Sequence, residues 1–390
     1  LNQSIYNRLK CHLIKILGSS YLQQKSNFNW TDHIIHDAHC YTTHSQIHEV
    51  AQHDTYTHPW KITFMQNAPD NTSYLILTFH HVLMDGTFMT RLLCDLCNCN
   101  PSTTKLLKRG SRMSALTHLL ALITLPLTFP LMVIKMIVSG SPSKAAMGNN
   151  LQFTTLVPEF VELDLAEVKK VSKRMGMTLT ALGIHWLNET FIDFHKLRSS
   201  SESSAKIGKL RNMLFFANRQ LSLDDPTLTM NGDLSTRSTA IDGDIADMTE
   251  RVNAFKQDYA NNVCDSFLAV AFDHFVTLLH FYLPDYLVLI AMFLHPTVRG
   301  SCLGVSSLAG PISAVKLGDH QVTSVSFLSR GLTNFAGGLA VMGWDKKLTI
   351  GTHLNPKLFP KGQTTTFLAM LNKRIERDIA EAANFSIQHQ

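Results

Sequence analysis

Between Tyr74 and Leu96 the hydrophobic period of the chain changes, and that change limits what can be built here. Tyr74-Leu75-Ile76-Leu77 is a short apolar run behind the turn-like Pro69-Asp70-Asn71, which predicts a buried strand. From Thr87 onward Phe88, Leu92 and Leu96 recur at helical spacing, with Leu93 beside them. His80, His81, Asp85 and Gly86 occupy the junction. An imidazole at a strand end is held firmly yet can reach a cavity, and it titrates near neutrality, as a proton acceptor must. Successive strand residues face opposite sides, so at most one of the two histidines faces any given cavity. Asp85 can bind an imidazole or a cation, and Gly86 permits an unusual backbone angle or a close approach by another segment.

His80-His81-Val82-Leu83-Met84-Asp85-Gly86 resembles the HHxxxDG signature of the CoA-dependent acyltransferase superfamily. Other stretches favour its wax ester synthase/diacylglycerol acyltransferase branch. Asp32-His33-Ile34-Ile35-His36 is similar to a family strand ending in histidine. His58-Pro59-Trp60-Lys61-Ile62-Thr63-Phe64 resembles an "RPLWE" segment that enters a strand beside the motif strand. Phe216-Ala217-Asn218-Arg219 resembles "VNLR", Met230-Asn231-Gly232-Asp233 a "GN" turn, and Val305 to Pro311 "SNVPGP". Thr180-Ala181 stands where the branch has Asn-Asp in "TVNDV", Ser307 replaces Asn, and Ala309 replaces Pro.

The resemblance implies an α/β fold of two chloramphenicol-acetyltransferase-like domains with mixed sheets around a central tunnel. It makes His81 the general base, with His80 and Asp85 completing the catalytic motif. Gly86 and Arg219 become structural, Arg219 as a cation for Asp85. Ser307, Gly310 and Pro311 become tunnel candidates. Acyl-CoA is the implied co-substrate, with no permanently bound cofactor and no metal. The acceptor is a fatty alcohol or a diacylglycerol. Two other readings stay open: a catalytically silent lipid-binding homologue, and an acyltransferase for a small amine or alcohol.

The 390 residues suffice for two domains. Ser139-Gly140-Ser141-Pro142-Ser143 is the best linker, giving an N-terminal domain over 1–140 and a C-terminal domain over 141–390. A net charge of +5 is too mild to suggest nucleic acid. Seven cysteines without a regular framework read as reduced thiols in a cytosol-facing protein. Cys94, Cys97 and Cys99 lack a second cluster at zinc spacing, and the i, i+3 histidines His33, His36 and His39 lack a clean helical stripe. Residues 113–134 are nearly all apolar but contain Pro126 and Pro130, leaving a transmembrane helix, an interfacial segment and a buried core helix open. The membrane reading implies contact with a membrane surface or lipid droplet, at the endoplasmic reticulum or plasma membrane, with the active site facing the cytosol. Val276 to Leu294, interrupted by Pro284 and Asp285, reads as core or interfacial helix.

Local signals fill in the rest. Tyr6 to Leu17 carries a helical stripe, read as a helix already under way in an N-terminally truncated chain. Thr154 to Leu165 predicts a strand, followed by an amphipathic helix on Leu165, Val168, Val171 and Met175 that stops at Gly176. Thr178 to Phe194 predicts a helix and Met213 to Arg219 a strand. A hairpin is expected around Trp344-Asp345-Lys346. A final helix buries Phe367, Leu368, Leu371, Ile375 and Ile379, with Lys373, Arg374 and Arg377 outside.

Overall fold

A computed structural model describes residues 4–16, 19–39, 59–66, 72–80, 83–98, 115–128, 130, 157–199, 206–217, 234–263, 271, 301–311, 314–327, 337–355, 359 and 362–388. The expected linker, the Met230–Asp233 turn and Val276–Leu294 lie outside the described residues. The fold is mixed α/β, with mixed sheets, as expected.

The first segment departs from the helix reading. Ser4–Lys10 is a 3₁₀ turn, then β1 (Cys11–Ile16) pairs antiparallel with β2 (Ser19–Gln24). Tyr6 and Leu9, three apart as a 3₁₀ turn requires, are buried. Leu13 and Ile16 belong instead to the strand, where Ile14 and Ile16 favour extended backbone.

The N-terminal sheet has the order β3 (Ile34–Asp37), β4 (Trp60–Met65), β5 (Tyr74–Phe79). The strand entered by His58-Pro59 does lie antiparallel beside the motif strand, with Trp60 opposite Phe79. His33 ends a 3₁₀ turn and His36 lies in a strand, so they do not share a helix face. His33 stacks on Trp60 with ring centroids 4.4 Å apart, and its Nδ1 lies 2.8 Å from the Trp60 carbonyl.

α1 (Gly86–Leu96) buries the predicted stripe: Phe88 and Leu92 pack with Tyr6, Leu9, Trp60 and Leu83. The Tyr6 hydroxyl donates to Asp95, which also receives Arg91 Nε at 3.0 Å. Burial, then the Asp95 carboxylate, raises the Tyr6 pKa, so this tie between the first turn and α1 keeps its proton. Cys94 and Cys97 are buried, and Cys99 lies outside the described residues. Beyond α1 comes α2 (Ala115–Ile123), within the long apolar stretch.

The larger sheet belongs to residues 157–354: β6 (Val157–Asp164), β7 (Lys209–Ala217), β8 (Leu234–Asp242), β9 (Ser301–Ala309) and the hairpin strands β12 (Gly337–Trp344) and β13 (Lys347–Leu354). A small hairpin, β10 (Val315–Leu317) and β11 (His320–Val322), stands apart from it. The sheet order is β6-β13-β12-β9-β7-β8, with β9 parallel to both neighbours and the other pairs antiparallel. The β12–β13 turn falls at Asp345-Lys346 as expected, with Asp345 at φ +53°.

The two-residue period of these strands sorts their side chains between two layers. Val305, Val341 and Ile350 enter a core with α3 (Leu165–Met175), α4 (Leu179–Ser199) and α6 (Gln363–Gln388). Leu308, Met342 and Trp344 point the other way and join Val315 and Cys97, at the end of α1. α3 matches its predicted limits because both ends are chemically marked. The Asp164 carboxylate accepts Ala166 and Glu167 N–H at 2.7 and 3.1 Å, and Gly176 terminates the helix at φ +61°.

α4 is buried on every side from Thr180 to Ile192. It therefore carries a buried ion pair, Glu189 with Arg251 of α5 (Met248–Val263), through two N···O contacts of 2.6 Å. Arg374, expected on the outer face of α6, is buried instead and pairs with Asp193 of α4.

Candidate active site

The motif begins where β5 ends. The His80 N–H donates to the Pro59 carbonyl at 2.7 Å, the last rung before the chains part. The His80 carbonyl then accepts the Leu83 N–H at 3.0 Å, which closes a turn over positions 80–83. Leu83 and Met84 are fully buried and anchor the far side of that turn.

Asp85 is the N-cap of α1. Its backbone is extended, at φ −86° and ψ 175°, and its Oδ1 accepts the Phe88 N–H at 2.9 Å. The Asp85 carbonyl accepts the Met89 N–H at 3.0 Å, the first intrahelical bond. The side chain has 0% exposure, so the cap works away from competing water. A cap at this position starts the helix directly after the turn, which fixes the pitch of α1 relative to β5.

Gly86 has ordinary helical backbone, so of the two reasons for glycine here the close approach applies. A Cβ built on it would lie 2.4 Å from Cδ2 of Leu308 on β9. The first turn of the motif helix thus sits directly on the larger sheet. That contact brings the motif together with the Val305–Pro311 element, which the sequence places more than two hundred residues away. Leu308 itself is the residue sequence reasoning missed. Strand alternation from the buried Leu303 and Val305 was the available signal, because it turns Leu308 to the opposite face.

The other expected site residues fall around this junction with different roles. Ser307 is partly buried opposite Val341, on the helix-facing side of the strand by the same alternation. Gly310 and Pro311 close the end of β9. The Gly310 N–H donates to the Gly343 carbonyl at 2.7 Å, and the Pro311 carbonyl accepts Asp345 N–H at 2.7 Å. A Cβ at Gly310 would lie 2.5 Å from the Gly343 oxygen and 2.8 Å from the Trp344 ring, so only glycine fits. His81 and Arg219 lie outside the described residues. Thr180 and Ala181 occupy the first turn of α4, both buried, with the Ala181 N–H bonded to Thr178 Oγ1 at 3.1 Å.

Two further buried histidines had no sequence signal. His353 on β13 lies over Gly338, where a Cβ would come within 2.1 Å of its ring. Gly338 is four residues before Met342, the partner of Leu308, or roughly 13 Å along the strand. His353 is therefore away from the motif. His185 is fully buried on α4, among Glu189, Asp378, Arg374 and Arg251. Burial pushes the pKa of each down to about 4, so both are neutral at pH 7. Among the described residues, no three His, Cys, Asp or Glu side chains come together as a metal site.

The site is thus a strand end, a tight turn and a capped helix pressed on the end of a second sheet. Such an arrangement holds His80 and Asp85 beside the junction of both sheets. Residues 235–369 match the model of the WS/DGAT C-terminal domain. No curated protein sequence matches the chain. Among solved structures, the chain is similar to the wax ester synthase/diacylglycerol acyltransferase from Marinobacter aquaeolei VT8, with a TM-score of 0.59 at 11% identity, covering 96% of this chain and 86% of that one. It is similar to the epimerization domain from the third module of tyrocidine synthetase B, with a TM-score of 0.54 at 10% identity, covering 97% and 86%. A third likeness is to the starter condensation domain of rhizomide synthetase in complex with C8-CoA, with a TM-score of 0.52 at 12% identity, covering 97% and 83%. At such identities these structures show a shared fold.

Proposed function

We propose, from the match of residues 235–369 to the WS/DGAT C-terminal domain and from the shared fold, that the chain is a member of the wax ester synthase/diacylglycerol acyltransferase family and an O-acyltransferase moving a fatty acyl group from acyl-CoA to a long-chain alcohol or diacylglycerol. The observation that carries this reading is the folded motif: a strand end at His80, a buried Asp85 cap, and Gly86 seated on Leu308. Acyl-CoA is a co-substrate, and no permanently held cofactor is needed.

In this mechanism His81 removes the hydroxyl proton of the acceptor as its oxygen attacks the thioester carbonyl. The resulting oxyanion collapses, the carbon–sulfur bond breaks, and the imidazolium returns its proton to the CoA thiolate. General-base assistance of this kind contributes about 10²–10⁴-fold. Holding the two substrates in line supplies much of the remainder. Asp85 keeps its structural role, with its helix cap now supporting the shape of the turn, and Arg219 is its proposed cation. His80 holds the strand end through its backbone. A tunnel between the two sheets, reached by the two substrates from opposite ends, is part of the proposal.

A second reading is a silent homologue that binds lipid without turnover. It is favoured by Thr180-Ala181, which are packed into the α4 core where the family has a polar pair. The test is one assay of labelled palmitoyl-CoA with hexadecanol, diacylglycerol and short-chain amine or alcohol acceptors. The proposal expects labelled wax ester or triacylglycerol. Bound lipid with no ester would support the silent reading, and transfer to the small acceptors alone would refute the lipid acceptor.

A further inference from the structure

Helices of globular proteins turn their apolar stripe inward. α2 and the turn after it do the reverse. Leu116, Leu119, Leu120, Ile123 and Leu127 follow one another at helical spacing and are 63, 53, 46, 63 and 74% exposed. The inward face holds the smaller Ala121 and Thr128, with Leu125. Scattered exposed leucines need no explanation, but a contiguous face of this kind marks a contact surface.

The sequence on either side of this segment is also one-sided in charge. From residue 96 to residue 158 the sequence has no Asp or Glu, and it carries Lys105, Lys108, Arg109, Arg112, Lys135 and Lys144. Those cations exceed the net +5 of the whole chain. Length completes the picture. Among the described residues no helix is long and apolar enough to cross a membrane, and α2 at nine residues reaches only about 14 Å of a hydrocarbon core of about 30 Å. Pro126 stands three residues past the end of α2 and has no N–H to donate. An apolar outward face with basic flanks and less than spanning length is the composition of a helix lying in a headgroup layer.

We propose that α2 and residues 124–128 dock, outward face down, into the headgroup region of an anionic phospholipid bilayer. A second copy of the chain would bring two like-charged segments together, whereas anionic headgroups complement the basic flanks, each near-surface cation contributing roughly 1 kcal/mol. The site lies on a different element from the acyl-transfer motif and is read without turnover.

The experiment is vesicle co-sedimentation of the full chain with phosphatidylcholine alone or containing about one-third phosphatidylserine. The wild type should bind the anionic vesicles several-fold more tightly, and about 0.5 M salt should erase the difference. The triple variant Leu119→Ser/Ile123→Ser/Leu127→Ser should lose on the order of 100-fold in partitioning while its melting temperature is unchanged. In a second variant, Leu120→Trp, the indole emission should shift to the blue on adding anionic vesicles. Absence of wild-type binding, undiminished binding by the triple variant, or an oligomer-to-monomer change in that variant with vesicle binding intact would each overturn the proposal.

Discussion

The seating of Gly86 on Leu308 can be tested with a double-mutant cycle. A Cβ added at Gly86 would start 2.4 Å from Leu308 Cδ2 and 3.4 Å from its Cγ and Cδ1. Carbon atoms rest at about 3.5–4.0 Å, so the leucine must withdraw by about 1 Å or more. It packs with the cores on both sides of the junction, so withdrawal costs about 1–3 kcal/mol. Against this, alanine is favoured over glycine within a helix by up to about 1 kcal/mol. With that preference subtracted in full, Gly86→Ala should destabilise by about 0–2 kcal/mol. Leu308→Ala should cost about 2 kcal/mol, the low end for a leucine because the residue is only partly buried. In the double variant the obstacle is gone and the helix preference remains. The two changes should then be sub-additive by about 1–3 kcal/mol. Urea denaturation followed by tryptophan fluorescence measures all four proteins. Additivity within about 0.5 kcal/mol would show that the motif helix does not rest on β9, and the geometric reasoning would fail.

Three other outcomes follow from the packing and the buried charges. Gly310→Ala meets backbone that cannot step aside, so it should destabilise by about 1–3 kcal/mol or more in the same assay, without rescue by Leu308→Ala. Arg251→Met strands a Glu189 that is 1% exposed and should cost about 3–5 kcal/mol, whereas adding Glu189→Leu should recover most of the loss. His185 and His353 have folded pKa values pushed down to about 4, below the ordinary 6.5, so the unfolded chain binds protons first as pH falls. Their stabilising contribution is complete above about pH 6.5 and is lost toward pH 4, at roughly 1.4 kcal/mol per pH unit for each ring. Urea midpoints should fall between about pH 6.5 and 5. His353→Gln should flatten that slope, and an unchanged slope would contradict the assignment.

What could be read from the sequence was whatever has a local cause. α3 was legible at both ends because Asp164 and Gly176 mark them, and β5 with α1 because the period changes between Leu77 and Phe88. The hairpin at Asp345-Lys346 needs only its own turn. Non-local causes were hidden. Leu9, Leu13 and Ile16 suit a helix until β2 supplies a strand partner. Arg374 looks like a surface cation until α4 presents Asp193. In the site, the motif and the Gly310-Pro311 turn were visible, but their meeting through Leu308 was not, because it depends on where the larger sheet docks. His353 gave no sign, since its burial comes from the bare backbone at Gly338 on the neighbouring strand.

The most direct test of the account compares His81→Ala, His80→Ala and wild type in ester formation from labelled palmitoyl-CoA and a long-chain alcohol or diacylglycerol. General-base loss predicts that His81→Ala falls by about 10²–10⁴-fold with its urea midpoint unchanged, while His80→Ala loses less. Full ester synthesis by a folded His81→Ala variant would contradict the claim that this imidazole moves the proton.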